Sequence, residues 1–160
     1  MSLQIQNSIS PALAKLIVQV KDRRPILEAM GQQLVTITKK AFNDASLRAA
    51  TWPPKRDGSA ATLKKHGALW QSIRITEITN TSVTVGSDRK YAAIHQLGGE
   101  IRPKSAKALR FFSGGRWWTV KKVTMPARPF FPFLNGNMTA LAAKKIEDIA
   151  AAKARRLIGN

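Results

Sequence analysis

The chain has 160 residues, 44% of them hydrophobic and none of them cysteine, enough for one domain with its own core and too apolar for a disordered chain. Lysine plus arginine is 27 and aspartate plus glutamate 9, a net charge of +18, so the expected partners are anionic: nucleic acid, an acidic protein surface or anionic lipid. The lack of cysteine excludes disulfide scaffolds, thiolate zinc sites, iron–sulfur clusters and thiol catalysis.

The first residues, Met1 to Asn7, lack a basic start followed by an apolar run. No stretch nears the ~20 apolar residues of a spanning helix. A soluble protein made in a cytoplasm, with no membrane partner, is expected. Residues 2–9 alternate weakly (Leu3, Ile5, Ile9) and suit a short strand or a loose arm. Ser10-Pro11 reads as an N-cap with proline at the first helical position. Leu13, Leu16, Ile17 and Val20 then predict a helix to about Lys21. Pro25 restarts the helix. Leu27, Met30, Leu34, Ile37 and Ala41, with Phe42 and Ala45 beside them, form one apolar stripe ending near Arg48, before Trp52-Pro53-Pro54. Gly31 within it suits close packing.

Residues 52–61 read as loop, and Ala68–Ser72 as a short helix. Arg74–Ile78 and Ser82–Gly86 flank Asn80-Thr81 as a hairpin. Ser87-Asp88 is placed to cap a short helix holding Tyr91, Ile94 and His95, which Gly98-Gly99 ends. Leu109–Val120 predicts a sharper hairpin, because Gly114-Gly115 suits a two-residue turn with positive φ. That register pairs Phe112 with Trp117 and Phe111 with Trp118. It puts Leu109, Phe111, Trp118 and Val120 on one face, and Arg110, Phe112, Trp117, Thr119 and Lys121 on the other. The apolar face is expected to dock on the protein's own body. Residues 125–134 form an extended segment whose prolines bar a regular strand; at least two of Phe130, Phe131 and Phe133 are expected in the core. Asn137 is read as the cap of a last helix with Met138, Leu141, Ala142, Ile146, Ile149 and Leu157 on one side. The whole predicts one α+β domain over 1–160, a small antiparallel sheet of hairpins packed against a long N-terminal-half helix and a C-terminal helix. Residues 107–122 project from it.

Catalytic chemistry needs titratable groups that converge. The nine acids are scattered, and the one adjacent pair, Glu147-Asp148, reads as a solvated helix surface. No metal-site spacing and no phosphate-binding glycine loop occurs. Of the two histidines, His95 can be imagined as a base with Glu100 as its orienter; the reading preferred is a structural, hydrogen-bonded histidine. No catalytic residue, cofactor or metal is expected.

The basic residues carry the clearer signal. From Ile101 to Ile146 there is no acid, and the bases are Arg102, Lys104, Lys107, Arg110, Arg116, Lys121, Lys122, Arg128, Lys144 and Lys145. Around the aromatic hairpin, Arg102, Lys104, Lys107, Arg110, Phe112, Arg116, Trp117, Lys121 and Lys122 form a candidate surface for a partner or for DNA. Phosphate contact with base stacking is one use of such a set. The other is core or subunit-interface aromatics beside solvated lysines.

Three patterns occur in series: Trp52-Pro-Pro with Thr62-Leu-Lys-Lys-His-Gly-Ala-Leu-Trp-Gln-Ser-Ile73; Val85-Gly-Ser-Asp with Tyr91-Ala-Ala-Ile-His-Gln-Leu-Gly-Gly99; and Met125-Pro-Ala-Arg-Pro-Phe-Phe131. In this order and spacing they resemble the Mu-like phage virion morphogenesis proteins, also called tail completion proteins, whose wider kin are the head–tail joining proteins of tailed phages. The resemblance is dense over residues 52–133; the flanking helices match in kind. His66 stands where the family has threonine. The resemblance implies a structural role for Trp52, Gly67, Leu69, Tyr91, His95, Gln96, Gly98, Pro126, Arg128, Pro129 and Phe130. It also implies a non-enzymatic virion protein of the neck or tail end, working as a ring, a hexamer by expectation. Its partners would be neighbouring neck, connector, tail terminator or tube proteins, with non-specific contact to packaged DNA. A monomeric basic nucleic-acid-binding module is the alternative, and a small enzyme using His95 a third reading.

Overall fold

The computed structural model of the chain describes residues 2–3 and 10–159. The arm-or-strand reading of residues 4–9 lies outside the described residues. Ser2–Leu3 (β1) pair antiparallel with Gly86 and Val85, the end of the first hairpin. Ser10 caps α1 (Pro11–Val18), its hydroxyl accepting from the Leu13 N–H at 3.3 Å. The helix stops short of Lys21, and Val20 turns inward instead, where it is buried with Leu13 and Ile26. α2 (Arg24–Ala41) buries Ile26, Gly31, Leu34, Val35, Ile37, Thr38 and Ala41 along one stripe. It ends seven residues before the expected Arg48. The apolar spacing runs on through Phe42, but Asp44 takes the Ser46 N–H at 2.9 Å and starts a separate 3-10 turn, Ala45–Leu47.

The short helix α3 spans Ala68–Gln71. β2 (Arg74–Ile78) and β3 (Val83–Gly86) form the first hairpin, with a register shift between Ile75 and Glu77. The sheet order is β1-β3-β2. Its loop is longer than a two-residue turn and is stitched by the Thr79 hydroxyl, which accepts from the Thr81 and Ser82 N–H groups. α2 lies across this sheet at Gly31, where a Cβ would sit 2.5 Å from Val83 Cγ2 and 2.9 Å from Ile75 Cδ1. A glycine is the residue that lets helix and sheet approach so closely.

α4 covers Ala92–Leu97. Ser87 does not cap it: the helix starts after Tyr91, and the Ser87 hydroxyl bonds the Arg89 N–H and the Ser72 hydroxyl. β4 (Gly99–Ile101) pairs with β7 (Val123–Met125), a ribbon the sequence did not predict. Between them stands the hairpin of β5 (Leu109–Ser113) and β6 (Arg116–Val120), in the register that Gly114-Gly115 implies: Phe111 opposite Trp118, Phe112 opposite Trp117. Both turn glycines have positive φ, 61° and 76°.

Phe130, Phe131 and Phe133 are all buried. Phe133–Leu134 (β8) and Asn137–Met138 (β9) form a tight hairpin about Asn135-Gly136. Asn137 is therefore a strand residue. Thr139 caps α5 (Ala140–Ile158), accepting from the Ala142 N–H. The buried stripe of α5 is Ala142, Ile146, Ala150 and Ala154. Leu141, Ile149 and Leu157 lie outside it and are exposed. Leu141 stands about 100° round the helix from Ala142, and Leu157 lies in the last turn, one residue before the end at Ile158. Alanines at the contact let α5 pack closely on α2 and α1. The architecture is α+β: α2 packs on α5 and on the β2–β3 hairpin, α1 packs on α5, and an aromatic core including Phe42, Trp52, Phe130 and Phe131 joins them.

Candidate interaction surface

The three sequence patterns meet in one buried clasp. Gln96 of α4 is 5% exposed. Its Oε1 accepts the Phe130 and Phe131 N–H groups, each at 3.0 Å, and its Nε2 donates to the Phe133 carbonyl at 3.2 Å. The proline-rich segment cannot satisfy its own backbone in a sheet, so a side-chain amide does it. Arg128 is 6% exposed. It donates from Nε to the Pro53 carbonyl at 2.8 Å and from Nη2 to the Pro54 carbonyl at 2.7 Å, while its N–H bonds the His95 carbonyl at 2.7 Å. The Trp52 indole donates to the Pro129 carbonyl at 2.8 Å. Arg128 thus stands apart from the other bases of its acid-free stretch: its charge is spent on loop carbonyls.

The remaining motif residues differ in exposure and surroundings. Gly98 has φ 70°, and a Cβ there would meet the Ala127 backbone nitrogen at 2.7 Å. Leu69, Pro129 and Phe130 are buried, and Pro126 is exposed. Gly67 opens α3 in the left-handed region with no side-chain cap, and His66 beside it is exposed. The Tyr91 ring meets that of His95 edge-on, centroids 5.8 Å apart. His95 does not make the hydrogen bond expected of its ring: Nδ1 is buried without a partner. Burial, and then the Arg128 charge, push its pKa below the usual imidazole value. Glu100, imagined as its orienter, is committed elsewhere. Lys122 (2.7 Å) and Arg102 hold it, and their hydrogen bonds keep its carboxyl below the ordinary range. Among the described residues no group of three His, Asp or Glu could hold a metal. No helix among them is long and apolar enough to cross a membrane.

The basic aromatic hairpin is built differently. Phe112 and Trp117 are 60% and 62% exposed, with ring centroids 5.6 Å apart. The face expected to dock on the body is half-buried rather than core: Leu109, Phe111, Trp118 and Val120 are all of intermediate exposure. Two guanidiniums lie over the Trp118 ring, Arg116 at 3.8 Å and Arg56 at 4.5 Å. Arg110 lies over Trp117 at 4.9 Å. Arg56 comes from the 52–61 loop, and no local pattern could have placed it there. Lys104, Lys107, Arg116 and Lys121 are exposed like Arg110, and so are Arg102 and Lys122 in their pairs with Glu100.

Cations on indole rings recur through the molecule. Arg48 covers Trp52 at 3.9 Å, and Lys39 and Lys64 flank Trp70 at 5.0 and 5.3 Å. Each tryptophan carries a cation, where a chain of this length shows about two such contacts. With carboxylates so few, ring faces hold six of the 27 positive side chains.

The model of the phage virion morphogenesis family matches residues 4–154. The chain belongs to that family. The match takes in α1, α2 and most of α5, beyond the 52–133 stretch where the motifs are dense. It is a family of structural phage proteins, and the chain's role is structural, in assembly of a phage particle. No curated protein and no solved structure gives a significant match.

Proposed function

We propose that this protein completes the phage tail and joins it to the DNA-filled head, as a ring in the neck. The observation that carries this reading is a division of labour among its residues. Motif residues are used inside the molecule: Gln96, Arg128 and Trp52 are buried and hydrogen-bonded within the clasp. The projecting basic aromatic hairpin lies outside those motifs and keeps Arg110, Phe112, Arg116 and Trp117 on the surface. A joint between two prefabricated parts needs such a combination, a fixed body with an adaptable docking element. The net charge of +18 suits a position beside packaged DNA and acidic neighbouring rings.

Electron microscopy of particles made without this protein tests the reading. It expects full heads and separate tails of normal length. Tails of abnormal length would move the role to length termination, and normally joined particles would end it. A monomer in gel filtration that binds duplex DNA tightly at physiological salt would favour the nucleic-acid-binding module instead.

A further inference from the structure

We propose that the β5–β6 hairpin is a docking prong for an acidic protein surface with an apolar pocket, into which Phe112 and Trp117 insert while Arg110, Arg116 and Arg56 pair with carboxylates at its rim. This rests on the joining role proposed above and names the chemistry of the partner.

Four observations carry it. The tip stands in open space, since a Cβ at Gly114 or Gly115 would meet nothing within 4 Å. Phe112 and Trp117 form an exposed cross-strand aromatic pair on that projection. The three guanidiniums lie over the indoles of Trp117 and Trp118. A guanidinium lying over an indole can still present N–H groups from its edge, and these fit carboxylates two at a time. Among the described residues, none of the three pairs with an acid of its own chain.

The occupant follows from matching both halves of the surface. A second copy of this chain, with 9 acids against 27 bases, offers few carboxylates for these arginines. A DNA duplex would satisfy the arginines, but its bases are already stacked, so the aromatic pair would gain nothing. A protein pocket of apolar side chains ringed by Asp and Glu meets both needs, and Trp and Arg are the residue types that dominate such contacts.

The test uses the full-length protein and three labelled probes at physiological salt: a random glutamate–tyrosine copolymer, poly-glutamate of equal charge, and a short DNA duplex. The wild type is expected to bind the copolymer at least about tenfold more tightly than poly-glutamate. Trp117→Ala and Phe112→Ser, each folded by circular dichroism, should abolish that preference and leave duplex binding within about twofold. Trp117→Phe should keep most of it. Arg110→Glu should weaken binding to all three probes and flatten the salt dependence. The proposal is overturned if the wild type shows no preference, if either folded aromatic variant keeps it, or if duplex binding falls in parallel, which would make the surface a DNA contact. None of these readouts needs heads or tails. A protein with the preference that fails to join them ends the joining role alone.

Discussion

Replacing Gln96 by leucine probes the clasp most sharply. The substitution keeps the volume nearly constant and removes every polar atom. Two N–H groups, of Phe130 and Phe131, and the Phe133 carbonyl then lose the side chain that holds them at 3.0, 3.0 and 3.2 Å. Each buried backbone group left unpaired costs about 1–3 kcal/mol, so the sum is roughly 3–6 kcal/mol after partial relaxation. Domains are stable by about 5–15 kcal/mol, so much of the margin goes. For a chain of this length the melting temperature should fall by about 10–20 °C. Urea unfolding followed by circular dichroism should show a lower midpoint with an unchanged slope. The control is Gln32→Leu on the exposed face of α2, expected to stay within about 0.5 kcal/mol. A Gln96→Leu midpoint equal to the wild type would refute the clasp as a source of stability.

Gly31→Ala sets a helix-propensity gain of about 1 kcal/mol against a contact of 2.5 Å with Val83 Cγ2. Overpacking costs about 1–3 kcal/mol, so net destabilisation is expected in thermal melts, and Val83→Ala in the same chain should relieve it. Gly98→Ala meets backbone at 2.7 Å with φ at 70° and should sharply reduce soluble, folded protein; a normal yield and melting temperature would contradict the geometry. His95 has its folded-state pKa lowered by burial and then by Arg128. Its stabilising effect is full above about pH 6.5 and is lost as pH falls through the folded value. Urea midpoints of the wild type should therefore decline between about pH 7 and 5, where Glu100 and Glu147, both held low, do not yet titrate. His95→Gln should flatten that decline, and an equally steep slope in the variant would exclude His95 as its origin.

What could be read from the sequence was what local chemistry dictates. Gly114-Gly115 set the turn of the hairpin, and alternation set its register, because both act within a few residues. Ser10-Pro11 marked a helix start for the same reason. Misreadings arose where a competing local bond or a distant pairing decided. α2 stops at Ala41 although the apolar spacing continues. Thr139 takes the cap because Asn137 is held in a strand by Phe133 and Leu134. The β4–β7 ribbon joins segments over twenty residues apart, each only three residues long and too short to show a pattern. The candidate surface was legible as composition only. That Phe112 and Trp117 would face outward followed from the register. That Arg56 would lie over Trp118 did not, since the two are brought together by the fold. Arg128 could be told from its basic neighbours only through the family motif, because burial of an arginine on proline carbonyls has no local signature.

Joining by the hairpin, on a body held together by the motifs, is tested most directly by adding purified protein to an extract of cells infected with phage lacking this gene, and counting plaque-forming particles. The wild-type protein should restore joined, infectious particles. The Phe112→Ser/Trp117→Ala double variant, with an unchanged melting temperature, should leave full heads and finished tails apart. Restoration by the folded double variant equal to that of the wild type would contradict the claim.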